Sequence, residues 1–386
     1  MRRGMRAGVL ILWTVLVAVS VISVADEPKE LKDAFASRFR VGAAIGTHHT
    51  MGQEPESLAL AASQFNAATP ENLLKWQAVH PAPDRYQFEP ADRFVAWGEQ
   101  HGMFLVGHTL VWHSQTPRWV SQGTDQKPLD RDALLDRMKG HIETVVGRYR
   151  GRIQAWDVVN EAIDDQGRLR SAVPEGGSPR RFAPWYSPIG DDFIEMAFEF
   201  AHAADPNAEL YYNDYNEWFP AKIEAISGLV RRLQSKNVRI DGIGLQGHWG
   251  LDYPKLDEID HMLTEYGKLG VKLMVTELDI TVLPSASNGT SADVNARATG
   301  GDRLDPYRDG LPDAVQRKLA DRYAAIFGLF VKHANTIDRV TFWGVHDGHS
   351  WRNHFPVRGR TDYPLLFDRR LEPKSAFSAV VGTVRP

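Results

Sequence analysis

Short β-rich apolar runs alternate with longer stretches of helical periodicity along nearly the whole chain, and this alternation restricts the fold more than any other feature. The strand candidates are 40–45 (RVGAAI), 65–69 (FNAAT), 103–110 (MFLVGHTL), 153–159 (IQAWDVV), 209–213 (ELYYN), 242–247 (GIGLQG), 271–276 (VKLMVT) and 339–344 (RVTFWG). Between them, Asp130 is placed to cap a helix over 131–149, where Leu134, Leu135, Met138, Ile142, Val145 and Val146 form an apolar stripe. Similar stripes run through 91–101, 191–204, 217–236, 256–269 and 312–334. Strand and helix alternating eight times predict an α/β chain folded as one (β/α)8 TIM barrel, a fold of roughly 250 residues or more. The rival is a doubly wound open sheet. That fold usually carries a Gly-rich phosphate loop after its first strand, and Gly42-Ala-Ala-Ile-Gly46 lacks the spacing.

Residues 1–25 stand apart from this pattern. Arg2, Arg3 and Arg6 precede an apolar run from Ala7 to Ala25, which ends Ser23-Val24-Ala25 before Asp26-Glu27. The pattern reads as a secretory signal cleaved after Ala25, with a retained membrane anchor as the competing reading. Residues 26–386 then form a single domain, secreted or periplasmic. Losing three arginines leaves 42 basic against 49 acidic residues, a net charge of −7. That balance argues against nucleic acid or an anionic membrane as partner and is compatible with a neutral polymer. With no cysteine there is no disulfide framework and no thiolate metal site. Two long loops, 164–190 and 283–312, would lie on the C-terminal face of the barrel, where barrel active sites sit.

Two glutamates end two of the apolar runs: Glu161 after Ile153–Asn160, and Glu277 after Val271–Thr276. Carboxylates are rarely buried at strand ends without a reason. A matched pair suggests one shared site, and paired carboxylates are the minimal machinery for cleaving a glycosidic bond. Polar and aromatic residues crowd the other strand ends as well. They include Glu71, Asn72, Lys75, His108, Trp112, Gln115, Asn160, Tyr215, Gln246, His248, Asp279, Trp343 and Trp351. A lone His or Trp there is more often a satisfied core residue, and Trp76, Trp97 and Trp156 are read that way. Polar groups at seven consecutive strand ends would be costly without a shared purpose.

Several of these stretches resemble a known family. Phe65-Asn-Ala-Ala-Thr-Pro-Glu71-Asn72-Leu-Leu-Lys75-Trp76, Gly107-His108-Thr-Leu-Val-Trp112-His113, Trp156-Asp-Val-Val-Asn160-Glu161, Tyr212-Asn213-Asp214-Tyr215-Asn216, Gly244-Leu-Gln246-Gly-His248, Thr276-Glu277-Leu-Asp279 and Phe342-Trp343-Gly-Val are similar to glycoside hydrolase family 10, the endo-β-1,4-xylanases. The resemblance spans about residues 33–384. It implies a (β/α)8 barrel that hydrolyses xylan with retention, Glu161 as acid/base and Glu277 as nucleophile. It implies sugar contacts from Glu71, Asn72, Lys75, His108, Trp112, Gln115, Gln246, His248, Trp343 and Trp351, with Tyr215 as a leaving-side platform. Both long loops depart from the family by being expanded.

The residues support that chemistry independently. Retention needs one ionised and one protonated carboxyl ~5–5.5 Å apart, and two acids so close cannot both ionise freely. Glu161 is expected to be the raised one. A relay Asp279–His248–Glu277 is expected to tune the nucleophile, and Asn160 to grip the sugar 2-hydroxyl. Lys75 is read as a hydrogen-bond donor to sugar. No cofactor, no metal and a monomer are expected. His346-Asp347-Gly-His349 lacks a third ligand at a recognisable spacing. Asn288-Gly-Thr290 is a formal glycosylation sequon. The competing functions are a retaining β-1,4-glucanase on the same barrel and a non-catalytic carbohydrate-binding protein.

Overall fold

The computed structural model describes residues 30–170, 184–284 and 302–384. The expected leader, the sequon and the central parts of both long loops lie outside the described residues. Strands β1 (Arg40–Ile45), β2 (Ala67–Pro70), β3 (Phe104–Trp112), β4 (Ala155–Asn160), β5 (Glu209–Asp214), β6 (Gly242–Leu245), β7 (His248–Gly250), β8 (Lys272–Thr281) and β9 (Ile337–Phe342) form one sheet. Its order is β6-β5-β4-β3-β2-β1-β9-β8-β7, and a β6–β8 pairing closes it. Every pairing is parallel, so eight strands make a (β/α)8 barrel. The short β7 adds only a rim, with His248 opposite Asp279.

Strands buried on both faces read as continuous apolar runs, which is how the sequence marked them. The helices form the outer ring. Helix Arg131–Arg148 begins where Asp130 accepts the Ala133 amide at 3.0 Å, and it buries Leu134, Met138, Ile142, Val145 and Val146. Helices Phe193–Ala204, Pro220–Ser235, Leu256–Gly267 and Asp313–Lys332 do the same with their apolar stripes. Trp76 and Trp156 are core residues, as read from sequence. The barrel floor is a separate small cluster of Val106, Ala155, Tyr211 and Met274 against Phe104. The buried Arg339 lies beside it, its guanidinium facing Phe104 and Tyr211.

The strand expected over 242–247 is split. Gly247 has φ +74°, a left-handed turn that costs glycine little. The chain kinks there and continues in the same direction as β7, parallel to β8, which delivers His248 to the rim. β8 also runs further than expected, through Glu277 and Asp279 to Thr281. Helix Pro55–Gln64 was not anticipated, nor was Ser375–Gly382.

Candidate active site

The C-terminal ends of the strands enclose a cleft of about 580 Å³. Glu71, Asn72, Lys75, His108, Trp112, Gln115, Asn160, Glu161, Gln246, His248, Glu277, Trp343 and Trp351 all line it. Asp279 stands behind His248. Thus the fold gathers residues from β2 to β9 that lie far apart in sequence.

Glu161 follows β4 directly and has φ +56°, an unusual conformation for a residue with a Cβ. Its amide is held by the Asn213 carbonyl at 2.8 Å, which secures the kink. Its Oε2 accepts the Trp112 indole N–H at 2.8 Å, and its Oε1 accepts from Gln246 at 2.9 Å and Asn160 at 3.3 Å. Burial holds its carboxyl above the ordinary value; Asp214 adds to this, while Arg170 and the donors from Gln246 and Trp112 oppose it. The rise at Glu161 is as expected from sequence, but its expected cause, the charge of a nearby Glu277, is not the main one. The dominant cause is desolvation.

Glu277 sits within β8. Its Oε1 accepts from Asn213 at 2.8 Å, and its Oε2 lies 3.2 Å from His248 Nε2. Burial pushes this carboxyl up too, but the His248 hydrogen bond and the nearby His108, His248 and Lys75 outweigh it, so the value falls. An amide chain joins the two acids. Gln246 also donates to Asn160 Oδ1 at 3.3 Å, and Asn213 bridges Asn160 Oδ1 (3.0 Å) to Glu277. Thr276 fixes Asn213 by donating to its Oδ1 at 2.7 Å. Asn213 was only noted at a strand end, yet it is the hinge of this network.

Behind Glu277, His248 Nδ1 lies 3.1 Å from Asp279 Oδ1. The approach is too oblique for a hydrogen bond, and Nδ1 has no formal partner, so charge dominates the pairing. Burial lowers the His248 pKa, but Asp279 and Glu277 together push it up to about 9. Asp279 is depressed to about 2: burial opposes this, and Arg352 and His248 overcome it. Asp279 also accepts from Trp351 Nε1 at 2.6 Å and from the Arg352 guanidinium at 3.0 and 2.9 Å. Arg352 carried no sequence signal beyond adjacency to Trp351.

Lys75 is buried between the Trp112 and Trp343 rings, 5.0 and 5.9 Å from their centroids, and donates to Asn72 at 3.0 Å. The apolar surroundings that the sequence did not reveal therefore exist, and burial lowers its pKa against the pull of Glu277, Glu71 and Glu161. Asp157, not singled out before, holds His108 Nδ1 at 2.9 Å. One expectation fails. Tyr215 is 2% exposed and does not line the cleft. Its ring faces the Lys222 ammonium at 4.3 Å, and its hydroxyl accepts from Arg170 at 2.7 Å. It buttresses the loop after Glu161 rather than lining the cleft.

The family model for glycosyl hydrolase family 10 matches residues 30–383. The chain belongs to glycosyl hydrolase family 10. It is 39% identical over 366 residues to endo-1,4-beta-xylanase A of Xylanibacter ruminicola, covering 95% of this chain and 96% of that one. It is 42% identical to an endo-1,4-beta-xylanase of Geobacillus stearothermophilus, covering 91% and 98%. Among solved structures, a GH10 endoxylanase from a sugarcane soil metagenome superposes with a TM-score of 0.87 at 44% identity, covering 91% of this chain and 99% of that one. Xylanase XynB of Paenibacillus barcinonensis, complexed with a conduramine derivative, gives 0.80 at 39%, covering 93% and 100%. Family membership thus agrees with the barrel and with two carboxyls at its mouth.

Proposed function

We propose that the chain is an endo-1,4-β-xylanase that hydrolyses internal β-1,4-xylosidic bonds of xylan with retention of configuration. The observation that carries this reading is the opposite displacement of two buried carboxyls tied to one amide network: Glu161 is raised and Glu277 lowered. Glu277 then ionises more readily than Glu161, which suits Glu277 as the nucleophile and Glu161 as the proton donor. Glu277 attacks the anomeric carbon while Glu161 gives its proton to the departing glycosidic oxygen. The glycosyl ester so formed removes the charge of Glu277. Glu161, now ionised, takes a proton from water, whose oxygen attacks the same carbon and restores both acids.

The surrounding residues divide the remaining work. His248, cationic at neutral pH, supports the ionised nucleophile, and Asp279 positions it. Asn160, Gln246 and Asn213 orient the carboxyls. Glu71, Asn72, Lys75, His108 and Gln115 offer polar atoms to sugar hydroxyls, and Trp112, Trp343 and Trp351 offer apolar faces to pyranose rings. Reducing-sugar release from xylan and from β-1,4-glucan, with the anomer of the first product followed by NMR, tests the proposal. Xylan should be the better substrate and the β-anomer should appear first. Preference for glucan, or an initial α-anomer, would sink it.

We also read residues 1–25 as a cleaved leader, the mature domain as 26–386, and the enzyme as a secreted or periplasmic monomer. The leader rests on the arginines, the apolar run and the small residues before Asp26. Among the described residues no helix is long and apolar enough to cross a membrane. N-terminal sequencing of the exported protein should begin at Asp26.

A further inference from the structure

Four histidines and a glutamate gather at one edge of the cleft, outside the carboxyl and amide network. His48 and His49 lie in the short helix Thr47–Thr50 after β1, and Glu54 immediately precedes helix Pro55–Gln64. His346 and His349 follow β9. Because β1 pairs with β9, the two loops are neighbours although they come from opposite ends of the chain. One ligating atom from each of Glu54, His346 and His349 lies within 4.8 Å of the other two, and the same holds for His48, His49 and His349. Sequence spacing had supplied only His346 and His349; the fold supplies the rest.

The hydrogen bonds sort these side chains. His49 is committed at both nitrogens, accepting the Gly46 amide at 3.1 Å and meeting Ser57 Oγ at 2.8 Å. His48 Nε2, His346 Nε2 and His349 Nδ1 are buried atoms with no hydrogen-bond partner. Buried polar atoms of this kind are normally satisfied, and three in one cluster call for a ligand. His349 Nε2 faces Glu54 Oε1 at 3.4 Å.

We propose that His346, His349 and Glu54 form a binding site for a divalent first-row transition-metal ion such as Zn²⁺ at the rim of the substrate cleft. Two imidazoles and one carboxylate, with water as the fourth ligand, suit zinc, whereas calcium and magnesium require oxygen donors. His346 Nδ1 accepts the Gly348 amide at 3.2 Å, so the ring proton sits on Nε2. Metal at Nε2 moves that proton to Nδ1 and frees the Gly348 amide, exchanging one long hydrogen bond for a metal bond. His48 and His349 line the cleft with Glu71 and Trp351. A bound ion therefore occupies space beside Glu71 and competes with a long xylo-oligosaccharide. This competition rests on the xylanase reading; metal binding does not.

The test uses the full chain stripped with a chelator, titrated with ZnCl2 by calorimetry and with Co²⁺ by visible absorption. One equivalent should bind, with the Co²⁺ ligand-field bands of a four-coordinate site. His346→Ala and Glu54→Gln should each weaken Zn²⁺ binding by more than the roughly 10–100-fold typical of losing an outer-shell partner. Thermal melts check folding. Should His346→Ala misfold, Glu54→Gln, at a partly exposed carboxylate, carries the test. No stoichiometric binding, or unchanged affinity in the folded variants, overturns the site. Zn²⁺ should inhibit xylohexaose hydrolysis in the parent and spare Glu54→Gln; stoichiometric binding without inhibition overturns the competition. Zinc binding by a protein that leaves xylan intact even when metal-free would retain the site and discard the xylanase reading.

Discussion

Trp112 donates its indole N–H to Glu161 Oε2 at 2.8 Å, so a residue that lines the cleft also aims the carboxyl beside it. The donor favours the ionised form of Glu161, against the burial that raises it. Trp112→Phe keeps a ring and removes the donor. The Glu161 pKa should then rise further, and the alkaline limb of the pH–rate profile should move up. A hydrogen bond to a charged group contributes about 1.5–3 kcal/mol, so kcat/KM should fall roughly 10–100-fold through lost orientation. An alkaline limb that stays put would show that the indole does not tune this acid.

Much of this site was legible in the sequence because the barrel fixes where a strand end points. Once Glu161 and Glu277 were placed at the ends of β4 and β8, shared geometry followed from topology. The missing parts have physical reasons. Helix Pro55–Gln64 is built largely of Ala and Ser, which give little amphipathic contrast. β8 was ended too early because Glu277 and Asp279 are polar, and only the cleft explains polar residues inside a strand. The family resemblance implies Tyr215 as a platform, and an aromatic at a strand end looks the same in sequence whether exposed or covered. Its contacts with Lys222 and Arg170 come from a helix and a loop. Arg352 and the Glu54–His346–His349 cluster depend on contacts between distant loops, which no local spacing encodes.

The roles of the two glutamates separate on substrates with different leaving groups. Glu277→Ala leaves no nucleophile, so turnover should vanish on xylan and aryl xylosides alike. Glu161→Ala should lose on the order of 10²–10⁴ in rate on xylan, the usual contribution of general acid catalysis. On an aryl xyloside with an acidic phenol the first step needs no proton, so a burst of phenol should precede slow deglycosylation. Strong activity of Glu277→Ala on that aryl substrate would reverse the assignment.

Asp279 acts through His248. With burial left in place and Glu277 alone to oppose it, Asp279→Asn should lower the His248 pKa from about 9. A less cationic His248 supports the Glu277 carboxylate less, so the acid limb of the rate profile should shift upward and kcat should fall more than KM rises. Stability responds with a defined sign. His248, raised from 6.5 to about 9, contributes stability that is complete below 6.5 and lost as pH rises through 9. Asp279, lowered from 3.8 to about 2, contributes stability that is present above 3.8 and lost as pH falls through 2. The parent should therefore exceed the variant most between these windows, from about pH 4 to 6.5, as read by thermal melts. A rate profile for Asp279→Asn equal to the parent in shape and height would refute the coupling.

Glu217 carries the opposite sign. It is wholly buried beneath β7, where its Oε1 accepts the Gly247 amide at 3.3 Å and its Oε2 has no partner. Burial raises its pKa from 4.5 to about 7, against the pull of Lys222 and His248. The folded protein thus holds a proton that the unfolded chain releases, and stability declines as pH rises from 4.5 through 7. Above that window, ionising Glu217 inside the fold costs on the order of 3 kcal/mol. Glu217→Gln keeps an acceptor for Gly247 and cannot ionise. Its melting temperature should match the parent near pH 5 and exceed it by a few degrees near pH 9. Equal melting temperatures at pH 9 would mean that the carboxylate is compensated in the fold, with Lys222 the nearest candidate.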